Sequence, residues 1–218
     1  MDCDQCRGIE AFFDQKVAAR ELRHYRKRGP RSSTRLLIEA LIAQGVDGVT
    51  LLDIGGGVGA IQHGLLKAGV AGAISVDASS AYLGAAKEEA ERLGLASRVS
   101  YHHGDFVALA PSLPMADVVT LDRVVCCYHD MASLVSLSSA LARRWYGLVY
   151  PRDGWWPKTL WRLATPLLDL WMRLQRNPYR AYLHPTREVD AIVQANGFQP
   201  AFYRTSGIWQ VVVYERSP

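Results

Sequence analysis

Val49-Thr50-Leu51-Leu52-Asp53-Ile54-Gly55-Gly56-Gly57-Val58-Gly59 joins a short apolar run to a turn with four glycines in five residues. Residues Ala60 to Ala68 then return to helical spacing, so the stretch predicts a β-turn-α unit. The pattern repeats outward. Ala73 to Asp77 leads into an Ala-, Glu- and Lys-rich helix from Ser80 to Leu93, and Arg98 to His103 ends at Gly104-Asp105-Phe106. A fourth run, Ala116 to Leu121, precedes a helix near Met131 to Arg144 and a fifth strand, Tyr146 to Tyr150. Strands alternating with helices imply an α/β three-layer sandwich around a mostly parallel sheet. A helix over 185–195 then precedes Phe198 to Arg204 and Gln210 to Tyr214, two strands around Gly207 expected to pair as an antiparallel hairpin.

On the other side of the turn, Ile9, Phe12, Phe13, Val17, Leu22 and Tyr25 predict one amphipathic helix over 9–27, ended by Gly29-Pro30. Ser32, Ser33 or Thr34 is expected to cap the next helix, which carries Leu36, Leu37, Ala40, Leu41 and Ile42. With 218 residues, 49% of them apolar, the chain reads as one domain over 1–218. It holds no run of about eighteen apolar residues, and Met1 to Cys6 is polar and acidic, unlike a secretory leader. A cytoplasmic location is the expectation. The four cysteines, an adjacent pair Cys126-Cys127 and a Cys3-x-x-Cys6, read as thiols or ligands and not as a disulfide framework.

Ligands of open α/β sheets sit beyond the carboxyl ends of the strands, where the first turn lies. Its glycines let a ligand approach the backbone, and Asp77, about twenty residues on, can accept hydrogen bonds from ribose hydroxyls. Gly55-x-Gly57-x-x-Ala60 alone also fits a dinucleotide fingerprint. Asp53 is a poor neighbour for a pyrophosphate but a good anchor for a charged amino-acid end. Asp105 offers a carboxylate for an adenine amine, and Phe106 a ring for the base.

Leu52 to Gly59, Val76-Asp77-Ala78-Ser79, Gly104-Asp105-Phe106 and Ala116 to Arg123 stand where the successive motifs of the class I S-adenosylmethionine-dependent methyltransferases stand, and from about Thr34 onward the chain resembles that family. The resemblance implies a Rossmann-like fold and S-adenosylmethionine as cofactor. It implies that Gly55, Gly57 and Gly59 contact methionine, Asp77 and Ala78 the ribose end, and Asp105 and Phe106 adenine, with Asp53 and Asp122 completing the site. It also implies an N-terminal helical lid, residues 1–45.

A sulfonium methyl is already activated, so such an enzyme must chiefly align a nucleophile and exclude water. Tyr128 and His129, after the fourth strand, are the candidate catalytic or orienting groups. Tyr25, Cys126, Cys127, Trp155 and Trp156 are the candidate acceptor contacts, the last two within a tryptophan-rich insertion or lid over 154–182. Cys3, Cys6, Cys126 and Cys127 could converge on a soft metal or metalloid, although adjacent cysteines make awkward ligands and no metal is expected.

A narrower resemblance, to magnesium-protoporphyrin methyltransferases, rests on Phe13-Asp14, Tyr150-Pro151-Arg152 and Arg180 to His184; Cys126-Cys127-Tyr128 departs from that group's histidine-tyrosine pair. A small acceptor that is flat, apolar or anionic is therefore expected. The basic stretch Arg20, Arg23, Arg26, Lys27, Arg28, Arg31 and Arg35 raises RNA as an alternative partner. With a net charge of only +4, a solvated helix face or anionic gate is preferred. Lys158, Arg162 and Arg173 beside the tryptophans raise peripheral membrane contact. A binding module that keeps the cofactor fold without turnover is the remaining alternative.

Overall fold

The computed structural model describes residues 4–217, without the side chains of residues 156–158, 160, 162, 164 and 168. Helices α1 (Asp4–Phe12), α2 (Gln15–Arg28) and α3 (Ser32–Ala43) lead. Strands and helices then alternate through β1 (Thr50–Ile54), α4 (Ala60–Lys67), β2 (Gly72–Asp77), α5 (Ser80–Arg92), β3 (Val99–His103), α6 (Phe106–Leu109), β4 (Ala116–Asp122), α7 (Met131–Ala140) and β5 (Ala142–Pro151). Helices α8 (Trp155–Leu174) and α9 (Thr186–Ala195) precede β6 (Phe198–Ser206) and β7 (Trp209–Arg216).

The strand order is β3-β2-β1-β4-β5-β7-β6. Strands β1 to β5 pair in parallel, and β7 runs antiparallel between β5 and β6, giving the expected sheet and hairpin. Alternation along each strand builds the layers. Leu52, Ile54, Val119, Leu121 and Leu148 pack toward α7 and α9, while Leu51, Val118, Val149 and Val213 pack toward α3 and α4. Chain order reverses between β1 and β4, so a crevice opens beyond their carboxyl ends.

Local competition moves several boundaries. The helix expected over 9–27 is two helices, because Asp14 Oδ1 accepts the Val17 amide at 2.9 Å and caps α2. Helix α3 has Arg31 at its N-cap with no side-chain bond, and Thr34 instead sends its hydroxyl to Asp122 at 2.5 Å. Of the lid expected over 1–45, α3 instead packs on the sheet, with Leu37 and Leu41 fully buried in its core. Helix α7 stops at Ala140, and Ala142 to Trp145 join β5, where Trp145 pairs with Val118 on one side and Glu215 on the other. Ladder bonds on two edges outweigh the helix preference of an Ala-Arg-Arg sequence.

Candidate cofactor cradle and acceptor cavity

The turn after β1 is pinned by the Gly55 amide, which donates to Val76 O at 2.7 Å. Gly55 has φ +63°, and a Cβ there would lie 2.3 Å from Val124 Cγ2. Gly57 has φ +55° with nothing within 4 Å of where its Cβ would be, so this backbone faces open space. Asp77 holds the turn against β2: Oδ2 accepts the Gly57 amide at 3.0 Å and Oδ1 the Ser79 amide at 2.8 Å.

Asp53 lies beneath. Its Oδ1 accepts the Thr120 hydroxyl at 2.8 Å, while Oδ2 is buried with no hydrogen-bond partner, as is the nearby Ser75 Oγ. Both orphaned atoms lie about where a Gly56 Cβ would meet them, at 2.9 and 3.0 Å. A bare backbone face above and an unspent carboxylate below fit a ligand with a cationic amino-acid end.

Burial raises the carboxyl of Asp53 to about 7 and that of Asp77 to about 6, against the Thr120 bond and the backbone amides respectively. For an acid raised in this way, folding favours the protonated form; that stability is full below the unfolded value, 3.8, and is lost as pH rises through the folded one. The ligand-free protein therefore loses stability between about pH 4 and pH 7 from this source, and Asp53→Asn should flatten the decline. Thermal melts of both proteins at pH 5 and pH 8 check this; parallel pH slopes would count against it.

The crevice is a cavity of about 390 Å³. Asp53, Gly55, Gly57, Asp77, Ala78, Asp105, Phe106 and Asp122 line one side of it. Asp122 pairs with Arg123 at 3.1 Å, and Arg123 holds φ +62° with its guanidinium over the Trp209 ring. Gly59 does not line the cavity; at φ +83° it is the N-cap of α4, where a Cβ would strike Gln62 and His63. Asp105 caps α6 through the Val107 amide and takes the Tyr128 hydroxyl at 2.9 and 3.0 Å on its two oxygens.

On the opposite side, Cys126, Cys127 and Tyr128 line the cavity, joined by Cys6 and Phe13 from the N-terminal segment, Trp161 of α8 and Tyr179. Cys126 Sγ and Cys127 Sγ are 3.9 Å apart, and Cys127 Sγ meets the Tyr179 hydroxyl at 3.3 Å. The thiols titrate as a pair: the contact with Cys127 and burial push Cys126 up, while the contact with Cys126 draws Cys127 down. Burial holds Tyr179 far above the usual phenol range.

Five proposed site residues fall elsewhere or outside the description. His129 is exposed with its ring stacked on Tyr128 at 5.2 Å, and the next residue, Asp130, caps α7. Tyr25 stacks on His63 at 6.1 Å and joins Ala18, Leu22 and Ala81 under α2. Trp155 is 83% exposed beside a separate depression formed with Arg152, Asp153 and Gln210. The Trp156 side chain and Cys3 lie outside the described residues, so the four-thiol convergence is not described. Among the described residues no group of three or more His, Cys, Asp or Glu could hold a metal ion.

Sequence reasoning missed Gln5, Glu10 and Tyr179. Gln5 Nε2 donates to Cys127 O at 2.7 Å and Arg180 O at 2.9 Å, tying α1 to the cysteine loop and to the segment after α8. Glu10 pairs with His103 at 2.8 Å and bonds Ser80, seating α1 beyond β2 and β3. Phe12 stacks on Tyr179 with centroids 4.6 Å apart. A polar Gln five residues into the chain carries no periodic signal that would have marked it.

The family described as a methyltransferase domain matches residues 51–146. A release factor glutamine methyltransferase of Cereibacter sphaeroides is 36% identical over 106 residues, which is 48% of this chain and only 37% of that relative. The magnesium protoporphyrin IX methyltransferase of Synechocystis PCC 6803, solved with bound S-adenosylhomocysteine, is similar over 96% of this chain and 98% of its own, with TM-score 0.72 and 20% identity. A putative RNA methyltransferase of Pyrococcus horikoshii is similar over 87% of this chain and 84% of its own, with TM-score 0.61 and 13% identity. With the glycine turn at the head of a 3-2-1-4-5-7-6 sheet, this chain has the class I S-adenosylmethionine-dependent methyltransferase fold, and the methyltransferase-domain match lies within it, over residues 51–146.

Proposed function

We propose that the chain transfers a methyl group from S-adenosylmethionine to a small, flat, largely apolar acceptor bearing an anionic or readily ionised atom. The observation that carries this reading is the single cavity shared by the glycine cradle and a wall of Cys6, Phe13, Trp161 and Tyr179. When bound, the cofactor supplies an electrophilic methyl on a sulfonium. Asp77 would hold the nucleoside end, and Asp53 with the bare face of the glycine turn would take the amino-acid end. Helix α1 and Tyr179 close the opposite side and exclude water.

Beside the Cys127 thiol, which its contact with Cys126 draws down, the wall opposite the glycine turn offers little general base. Tyr179 stays protonated, Asp105 is occupied by Tyr128 and Val107, and Asp122 by Thr34 and Arg123. An acceptor that arrives ionised needs no base. Two of the seven cations of the basic stretch are taken up within the protein, which weakens the RNA reading: Arg26 pairs with Glu88 and Glu89, and Arg31 with Glu21.

Calorimetry with S-adenosylhomocysteine, followed by tritiated-methyl transfer to aromatic carboxylates, phenols, porphyrins, bulk tRNA and protein, tests the proposal. Label is expected in an extractable small molecule. Label in tRNA would reject the acceptor class, binding without turnover on the whole panel would favour the non-catalytic module, and no binding would reject the cofactor.

A further inference from the structure

Helix α8 leaves a row of large apolar side chains in solvent. Leu163, Leu167 and Leu174 are 69%, 72% and 76% exposed, with Leu170 and Trp171 beside them at 56% and 47%. Spacings of three, four and seven residues put them on one face, a strip about 16 Å long. Single exposed leucines are ordinary, whereas a contiguous row marks an interaction surface. The other face is engaged: Met172 is buried and Trp161 lines the cavity, while Trp171, at the edge of the strip, meets the Phe12 ring edge-on at 6.4 Å. The helix is held to the domain on one side and presents leucine on the other.

Charge selects the occupant. From Trp155 to Arg176 the sequence carries Lys158, Arg162, Arg173 and Arg176 against one carboxylate, Asp169, which itself faces Arg180 at 3.7 Å. Arg173 and Arg176 are exposed. Arg176 sits at φ +54° in the turn that ends α8, donating its amide to Arg173 O, a position where glycine is usual. A cation is thus held in a costly conformation at the end of the leucine strip. A second copy of this chain would bring the same cations against the strip, whereas an anionic lipid surface offers opposite charge and an apolar layer together.

We propose that α8 is an interfacial helix that seats the protein on anionic membranes, its leucines in the acyl boundary and Arg173 and Arg176 at the level of the lipid phosphates. The helix's inner face walls the cavity, so docking brings the cavity cover to the phase in which apolar acceptors dissolve. The inference stands independently of the acceptor reading.

Flotation of the full chain with phosphatidylcholine vesicles, with and without phosphatidylglycerol, tests it. Binding is expected with phosphatidylglycerol and should weaken as salt rises. Leu167→Glu with Leu170→Glu should lower the partition coefficient by about ten-fold or more, with S-adenosylhomocysteine affinity unchanged as the check on folding. Arg173→Gln should weaken binding to the anionic vesicles. Wild-type protein that stays in the soluble fraction, or a glutamate pair that floats as well as wild type, overturns the proposal. A concentration-dependent dimer in sedimentation that the same pair abolishes, without vesicle binding, assigns the strip to a second copy and overturns it equally.

Discussion

Asp77→Asn is expected to weaken S-adenosylhomocysteine binding by about ten- to a hundred-fold, the range for losing charge-assisted hydrogen bonds in a desolvated site. In the free protein the carboxylate accepts two amides, from Gly57 and Ser79. Both of its oxygens are therefore needed as acceptors before a ribose hydroxyl arrives. An asparagine must turn its NH2 toward one of those amides, donor against donor, and the Gly57 turn loosens. The ligand-free fold should tolerate the change, because removing a carboxyl that burial has raised to about 6 relieves desolvation near neutral pH. Titration calorimetry and thermal melts on the same samples separate the two effects. A dissociation constant within two-fold of wild type would show that Asp77 does not hold the nucleoside. The contrast with Asp53→Asn is informative, since Asp53 holds Thr120 with one oxygen and leaves the other unspent.

These residues also mark what the sequence made legible. Strand ends and their carboxylates were readable because a buried parallel strand must be continuously apolar, and a charge such as Asp53, Asp77 or Asp122 at its carboxyl end stands out. The turn itself was readable from backbone demands that glycine meets most readily, φ +55° and +63°, with no room for a Cβ at Gly55. Acceptor contacts were not. Tyr25, His129 and Trp155 have the right chemistry, but their destinations depend on packing between segments far apart in the chain. Tyr25 is taken up by His63, whereas Tyr179, more than fifty residues beyond Cys127, meets its thiol. Residue type ranks candidates within a loop; it does not say which cover element reaches the loop.

Helix α1 supplies that reach, and Gly8→Ala should remove it. Gly8 is buried in the middle of α1, where a Cβ would lie 2.3 Å from Tyr179 N, 2.8 Å from Tyr179 Cα and 2.9 Å from Pro178 C. Those are backbone atoms, so no side-chain rotation relieves the clash. Alanine gains about 1 kcal/mol of helix propensity over glycine. Overpacking against a fixed backbone costs about 1–3 kcal/mol, so separation of the two segments wins. With it go the Phe12–Tyr179 stack and the Gln5 bridge to Cys127 O and Arg180 O. The two sheet-packing cores contain no residue of this contact except Cys6, so the melting temperature should move by only a few degrees. Hydrogen exchange should instead accelerate in 4–13 and 178–184, and Cys127 should alkylate with N-ethylmaleimide about ten-fold faster or more, since its cover is gone. Unchanged protection in both segments would mean that α1 does not close the cavity. Faster exchange with an unchanged Cys127 rate would place the closure on Trp161 of α8, leaving α1 to position Cys127 through its carbonyl alone.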